Sequence, residues 1–424
     1  MRRITAGLLI FFYFSYGLTI EEAVNTAIKN NPSVKEGYIQ QRISEEELKE
    51  SRSKRFGRLE IFADYTHYNI PRLVYPISPP LSPSKISGIA GAKNITIPGI
   101  RYDLPLFTGF EIEKSVEISK LKGKLSEINL NITKNQLAFN VRSVYLKILT
   151  LKKQKKAMEK YRQALNQLYK NVSLSVKNGK KPEVDLLKVE YSLKNVESTI
   201  EALKNGINSL KEALRTLMNV PERDFELEDV TPSETVNLSR DTLMKKYFPR
   251  LYSYKKVKIL QQISEKGLEK SKSEYFPHVY LSGIYQRNIG NSENRELWQV
   301  SLIVKYTLWD FGNRFHKKIK AKLELRKSEI EEEKIKLEVE RKLTDAINQI
   351  KIADFKIKAV QKQLKYAKEV EKVEKLKYEE GVSDLYDYLY AQSQRYIAES
   401  KYYEAVYEKQ RAIYYLYYVL ERSF

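Results

Sequence analysis

Few side chains in this sequence are of the types that do covalent chemistry. There is no cysteine among the 424 residues, which excludes disulfides, thiolate metal sites, cysteine nucleophiles and a lipid-modified N-terminal cysteine. Three histidines are present. His67 and His278 fall in segments that alternate like strands, His316 opens a long helical run, and none has a second ligand at metal-binding spacing. No glycine-rich phosphate loop occurs. Carboxylates are plentiful, but they alternate with lysines along helical runs, where solvated faces account for them. The sequence therefore predicts no enzyme, no cofactor and no metal site. What remains is two glycine turns with charged and aromatic flanks, Lys177-Asn-Gly179 and Tyr378-Glu-Glu-Gly381.

Those turns belong to a duplication. Leu104-Pro-Leu-Phe-Thr-Gly-Phe110 has a counterpart in Tyr306-Thr-Leu-Trp-Asp-Phe-Gly312, and each opens a proline-free run that ends at one of the two glycines. Phe107 precedes Trp309, and Gly179 precedes Gly381, by the same 202 positions. A period of about 200 residues is one folding unit used twice. The repeats are read as 18–234 and 235–424.

The N-terminus reads as a secretory signal over 1–17: Arg2 and Arg3, an apolar run from Ile4 to Phe14, then Ser15 and Gly17. That run is too short to span a bilayer, and no later segment has the ~18–20 apolar residues of a membrane helix. An exported chain without such a helix enters a membrane only as a β-barrel. The net charge of +21 raises the question of nucleic acid. The interspersed Lys/Glu pattern, with no aromatic-basic stacking motif, argues for charged helix faces and against a nucleic-acid partner.

Each repeat runs in the same order. A helical stretch, Ile20 to about Arg55 broken at Pro32, precedes alternating segments at 58–68 and 95–107. The first has Leu59, Ile61, Ala63 and Tyr65 on one face, and period two marks a strand. Five of the 13 prolines crowd between Pro71 and Pro83, marking a loop. A helix over 110–178 follows, with Met158, Tyr161, Leu165, Leu168 and Val172 stepping by three and four. At 1.5 Å per residue it extends about 100 Å. After Pro182 a returning helix runs to about Asn219. The second repeat has a helix after Pro249, strands at 278–287 and 297–309 separated by a short loop from Asn288 to Arg295, and a helix over 313–380. In that helix Leu343, Ile350, Ile357 and Leu364 recur every seven residues, with Ala346, Ala353, Val360 and Ala367 three on, a coiled-coil seam. The shorter helices of each repeat, laid end to end, match one long helix in length. Four strands cannot close a barrel, since single-chain barrels start at about eight, so the chain is expected to oligomerise. Three copies would give twelve strands.

The sequence resembles the TolC family of outer-membrane efflux proteins. The likeness covers nearly the whole chain beyond the signal. It includes Leu18-Thr-Ile-Glu-Glu-Ala-Val-Asn-Thr-Ala-Ile-Lys-Asn-Asn-Pro32, the strand exits Pro105-Leu-Phe-Thr-Gly109 and Leu308-Trp-Asp-Phe-Gly312, and the hairpin Tyr378-Glu-Glu-Gly-Val-Ser-Asp-Leu-Tyr-Asp-Tyr-Leu389. It implies an α+β membrane protein: a homotrimer whose twelve-stranded outer-membrane β-barrel, four strands per chain, continues into a long periplasmic α-helical coiled-coil barrel. It further implies a passive exit duct in the outer membrane of a Gram-negative bacterium, embedded in outer-membrane lipid. A periplasmic membrane-fusion adaptor would join it to an inner-membrane pump of RND, ABC or MFS type, for efflux or type I secretion. By position in the family motif, Asp185 and Asp387 would line a periplasmic constriction, and Tyr378 would hold the tip closed through bonds between helices. A carboxylate ring in a narrow wet pore attracts cations. Two departures stand out. This chain has Tyr390 where the family often has a second acid, and Ser383 where it often has arginine. An aromatic constriction at Tyr386 or Tyr390 would then replace part of a salt-bridge lock. The turns themselves, Gly179, Lys180, Lys181 and Pro182 in one and Gly381, Val382 and Ser383 in the other, would dock the adaptor.

Blander readings stand beside these. Both aspartates sit where a helix dipole favours a first-turn acid, and the glycines would serve as turns in any hairpin. A periplasmic coiled-coil adaptor or scaffold with no barrel of its own would explain the export and the helices, but not two pairs of alternating strands at matched positions.

Overall fold

The computed structural model describes residues 17–76, 91–221, 225–230, 239–291 and 293–422. The expected signal segment, most of the proline-rich loop and the boundary between the repeats lie outside them. No described helix is long and apolar enough to cross a membrane.

The first repeat forms α1 (Ile20–Asn30), α2 (Pro32–Ser53), β1 (Arg58–Leu73), β2 (Gly91–Thr108), α3 (Glu111–Lys177) and α4 (Glu183–Met218). The second forms α5 (Arg240–Tyr247), α6 (Tyr252–Ser271), β3 (His278–Gly290), β4 (Glu293–Lys305), α7 (Asn313–Glu379) and α8 (Leu385–Val419). The two long helices have 67 residues each, about 100 Å. The compact units are not the sequence repeats. One gathers the chain up to Tyr38, Asn129–Lys255 and everything from Ile335; the other gathers Ile39–Ile128 and Lys256–Lys334. Each repeat contributes to both, because long helices let residues distant in sequence share a core.

Local chemistry sets the element ends. Thr19 caps α1 in a reciprocal box with Glu22. Pro32, with no N–H to give, ends α1 at an extended Asn31. The Asn31 amide donates to the Leu217 carbonyl at 2.9 Å, and that of Asn219 donates to Asn30 at 3.2 Å, so α4 ends against the α1–α2 joint. The strand-to-helix corners are a matched pair: Gly109-Phe110 and Phe311-Gly312 all have positive φ. Gly109 has no alternative, since a Cβ there would stand 2.4 Å from the Ser273 carbonyl oxygen.

In the second unit the strands form one antiparallel sheet in the order β1-β2-β3-β4. Register places Ile61, Ile100, Tyr285 and Trp298 in one row across all four, and Leu59, Tyr102, Gly283 and Val300 in another. On the opposite face Arg58, Asp103, Ser282 and Ser301 align, and the Ser282 hydroxyl donates to Asp103 at 2.5 Å. Among the described residues β1 and β4 are the edges of this sheet.

Several strand limits differ from the sequence expectation. β4 occupies 293–305 in place of 297–309. Its partner β3 begins at His278, which pairs with Lys305, so among the described residues nothing continues the ladder. Beyond it the carbonyls of Thr307 and Leu308 accept from the Arg314 guanidinium at 2.9 and 3.2 Å. The expected loop from Asn288 to Arg295 is tighter: β3 pairs as far as Gly290 with Glu293. β1 extends through Pro71, which an edge strand tolerates, beside a register shift between His67 and Arg72.

The first unit has three apolar clusters. One surrounds Tyr145, whose hydroxyl bridges the carbonyls of Leu18 and Glu228. A second packs α3 against α4 and α8 near the turns, and it contains the whole Met158–Val172 stripe. The third packs α7 on α8 and α5 through Leu343, Ala346 and Ile350.

Candidate functional site: the hairpin tips

Both tips are built the same way. At the first, the amides of Gly179 and Lys180 donate to Val176 and Ser175 at 2.9 and 2.8 Å. At the second, those of Gly381 and Val382 donate to Tyr378 and Lys377 at 3.2 and 2.9 Å. This paired pattern closes a helix with a left-handed residue, and the glycines have φ of 70° and 73°. A Cβ at either would meet nothing within 4 Å, so conformation and not space demands glycine there. Pro182 opens α4 without a side-chain cap. Asp384 opens α8, and its carboxylate accepts the amides of Tyr386 and Asp387 at 2.6 and 3.2 Å.

The residues expected at the constriction have different partners within the chain. Asp185 is half-buried in the first turn of α4 and pairs with Lys188 of the same helix at 3.5 Å. Asp387 is exposed, with the Ser383 hydroxyl 3.4 Å away; that hydroxyl also lies 3.1 Å from Glu374. Among the described residues no hydrogen bond or ion pair joins Asp185 to Asp387. Tyr378 links the tips. Its ring stacks on Tyr388 of α8 at 5.6 Å and 19°, and the Lys181 ammonium of the first tip stands 3.5 Å from its ring centroid. Lys181 is thus a partner of Tyr378 as well as part of the turn surface. Tyr390 is exposed and stacks on Tyr386 at 6.3 Å. With Val184, Leu187 and Tyr191 of α4 these two rings line an apolar groove of about 830 Å³. Lys180 and Val382 are exposed at the turns.

Sequence reasoning missed a charged layer behind the tips. The Arg395 guanidinium of α8 lies 3.3 Å from Glu371 of α7 and 4.0 Å from Glu399 of its own helix. Lys160 of α3 reaches Glu399 at 3.5 Å. Burial pushes the Glu371 carboxyl above its ordinary range, although Arg395 pulls the other way. Burial also pushes the Tyr161 and Tyr388 phenols up to about 12, so they remain neutral. The signal was present: the heptad through Leu364 reaches Glu371 and then Tyr378 when extended. The histidines stay apart. His67 is hydrogen-bonded to Asn94 at 2.7 Å and His316 lies edge-on to Phe315. Among the described residues no cluster could hold a metal ion.

Comparison with known proteins fits this geometry. The family model described as outer membrane efflux protein matches residues 23–220 and 259–420, well over half of the chain. The chain belongs to the outer membrane efflux protein family. It is a TolC-like outer-membrane channel of a Gram-negative bacterium, with strands for the membrane and a long periplasmic helical part. Solved structures share the fold of this efflux protein. The CmeC outer membrane channel of Campylobacter jejuni superposes with a TM-score of 0.79 at 14% identity, over 96% of this chain and 86% of that one. The outer membrane protein VceC of Vibrio cholerae gives 0.75 at 11%, over 95% and 96%. The open state of the Neisseria gonorrhoeae MtrE channel gives 0.75 at 16%, over 95% and 88%. No curated protein matches the efflux protein's sequence.

Proposed function

We propose that this efflux protein is the passive exit duct of a tripartite assembly. Three copies close a twelve-stranded barrel and a helical tunnel, and a periplasmic adaptor joins the tunnel to an inner-membrane pump of RND, ABC or MFS type. The observation that carries this reading is the open sheet. Four strands with free edges at β1 and β4 leave backbone groups that lipid cannot satisfy, and closure removes the edges. One face of β4 carries Trp298, Val300, Leu302 and Val304, all exposed in the single chain, as a lipid-facing band requires. An adaptor without a barrel has no use for such a sheet. Within the tunnel, Tyr378, Asp185, Asp387 and Tyr390 form the periplasmic constriction. The turns at Gly179, Lys180, Lys181 and Pro182, and at Gly381, Val382 and Ser383, receive the adaptor. The test is fractionation followed by mild gel electrophoresis. A heat-resistant trimer in the outer membrane is expected, and a soluble periplasmic monomer overturns the reading.

A further inference from the structure

The seam that holds α7 on α8 changes character before the tip. Its buried residues are Val339, Leu343, Ala346, Ile350, Ala353 and Val360, and none follows. The same three-and-four spacing continues through Leu364, Ala367, Glu371, Glu374 and Tyr378, which are more buried than their exposed neighbours on α7. Glutamates therefore occupy the seam where apolar residues would be expected. Val370, Val373 and Leu376 are about half exposed, so little apolar packing fixes this end of the helix.

Charge takes over that task. The side chain of Glu371 is 16% exposed, that of Arg395 25% and that of Glu399 10%. Gln392, 2% exposed, lies in the same layer; its amide donates to the Tyr388 hydroxyl at 3.2 Å, and its own Oε1 has no partner. The Arg395 guanidinium lies over the Tyr396 ring at 4.4 Å with its Nε unpaired. Tyr396 in turn stacks on Tyr161 of α3 at 4.8 Å. The groups facing Glu371 are thus Arg395, Gln392, Tyr388 and Tyr396 on α8, Lys375 on its own helix and Tyr161 on α3, with Lys160 reaching Glu399.

We propose that Glu371, Arg395 and Glu399 form a latch that clamps the end of α7 to α8 behind the second tip, and that releasing it loosens the tip. A buried ion pair gives little net stability, because desolvation offsets the attraction. Removing one partner is costly, since the other charge stays buried and uncompensated. Such a contact specifies an arrangement without making it hard to leave, which suits a joint that must open. Arg395 sits about 15 Å along α8 from the turn. The latch therefore acts through the backbone of both helices on the Tyr378–Tyr388 stack and the turn beyond.

The inference rests on the duct reading, and single-channel conductance of the purified protein in planar bilayers tests the two separately. Arg395→Met removes the guanidinium that lies between Glu371 and Glu399, leaving Glu399 its contact with Lys160, and is expected to raise conductance at least threefold at neutral pH. It should also speed hydrogen exchange at amides 372–379. Glu371→Met combined with Arg395→Met, and the swap Glu371→Arg with Arg395→Glu, are expected to return conductance to the wild-type level. These double variants keep the test sharp if Arg395→Met alone fails to assemble. Wild-type conductance in assembled Arg395→Met overturns the latch while leaving the duct reading in place. So does conductance in the swap as high as in the single variant. Absence of conductance from every form, wild type included, overturns the duct reading and the latch with it.

Discussion

Glu421, near the C-terminus, caps a helix that begins at Tyr252. Its carboxylate accepts the backbone amides of Tyr252 and Ser253, the latter at 3.0 Å, while Arg422 donates to the Tyr247 hydroxyl at 3.0 Å. The end of α8 therefore meets the start of α6 just as the end of α4 meets the α1–α2 joint through Asn31 and Asn219. Both repeats make the same junction with different chemistry, a carboxylate in one and two amides in the other. Removing Glu421 leaves two part-buried helix-start amides without this acceptor. Glu421→Ala is expected to cost about 1–3 kcal/mol, read as a lower thermal midpoint of the detergent-solubilised protein. Glu421→Gln keeps an acceptor and should cost less than about 1 kcal/mol. An equal loss from both would mean that the amide bonds are not what holds the joint.

The tip glycines carry a conformational demand. Any L-residue at φ near 70° is strained by about 1–2 kcal/mol, and β-branched residues more so. Gly381→Val and Gly179→Val should lower hairpin stability by that order, and Asn at the same positions by less, because Asn tolerates the left-handed region. Urea titration followed by far-ultraviolet circular dichroism measures the difference. Indistinguishable Val and Asn variants would show that the turns relax to another conformation.

The two faces of β4 should respond in opposite ways to the same substitution. Val300→Arg places a charge in the apolar row and is expected to cost about 2–4 kcal/mol if it lies near the bilayer midplane, with loss of heat-resistant oligomer. Ser301→Arg, one residue on and facing the polar row of Asp103 and Ser282, should assemble normally. If both variants assembled equally well, the face assignment would be wrong.

Acidity should tighten the end of α7 although it uncharges Glu371, because burial disfavours the charged carboxyl more than Arg395 favours it and Arg395 keeps Glu399 as a partner. Burial raises the Glu371 carboxyl above its ordinary value in the packed arrangement, more than Arg395 lowers it. The packed state therefore holds a proton more strongly than a solvated, released α7. Its advantage is complete below the ordinary carboxylate range and is lost as pH rises through the raised value. Conductance should climb across that window in the wild type and more steeply in Arg395→Met, while Glu371→Gln flattens the profile. A profile unchanged by Glu371→Gln would assign the pH response to other carboxylates.

Much of this architecture was legible in the chain. Period-two alternation marked Leu59, Ile61 and Tyr65, the three-and-four stripe from Met158 to Val172 marked a packed helix face, and the matched glycines marked the turns. These are local consequences of side-chain geometry, so residue order suffices. The end of β4 was not legible. Alternation continues through Tyr306 and Leu308, but a strand needs a partner, and β3 stops pairing at His278.

The sequence by itself determined the repeat, the helix and strand periods and the left-handed turns at Gly179 and Gly381, because each follows from backbone sterics and from which faces must leave water. Only the tertiary structure decided which residues from different helices share a layer. It placed Lys181 on Tyr378, Glu421 on the start of α6, and Arg395 between Glu371 and Glu399. It also paired Asp185 with Lys188 of the same helix. Such pairings depend on the rotation and axial offset of packed helices, which the summed contacts of the whole seam fix and no short stretch of residues can.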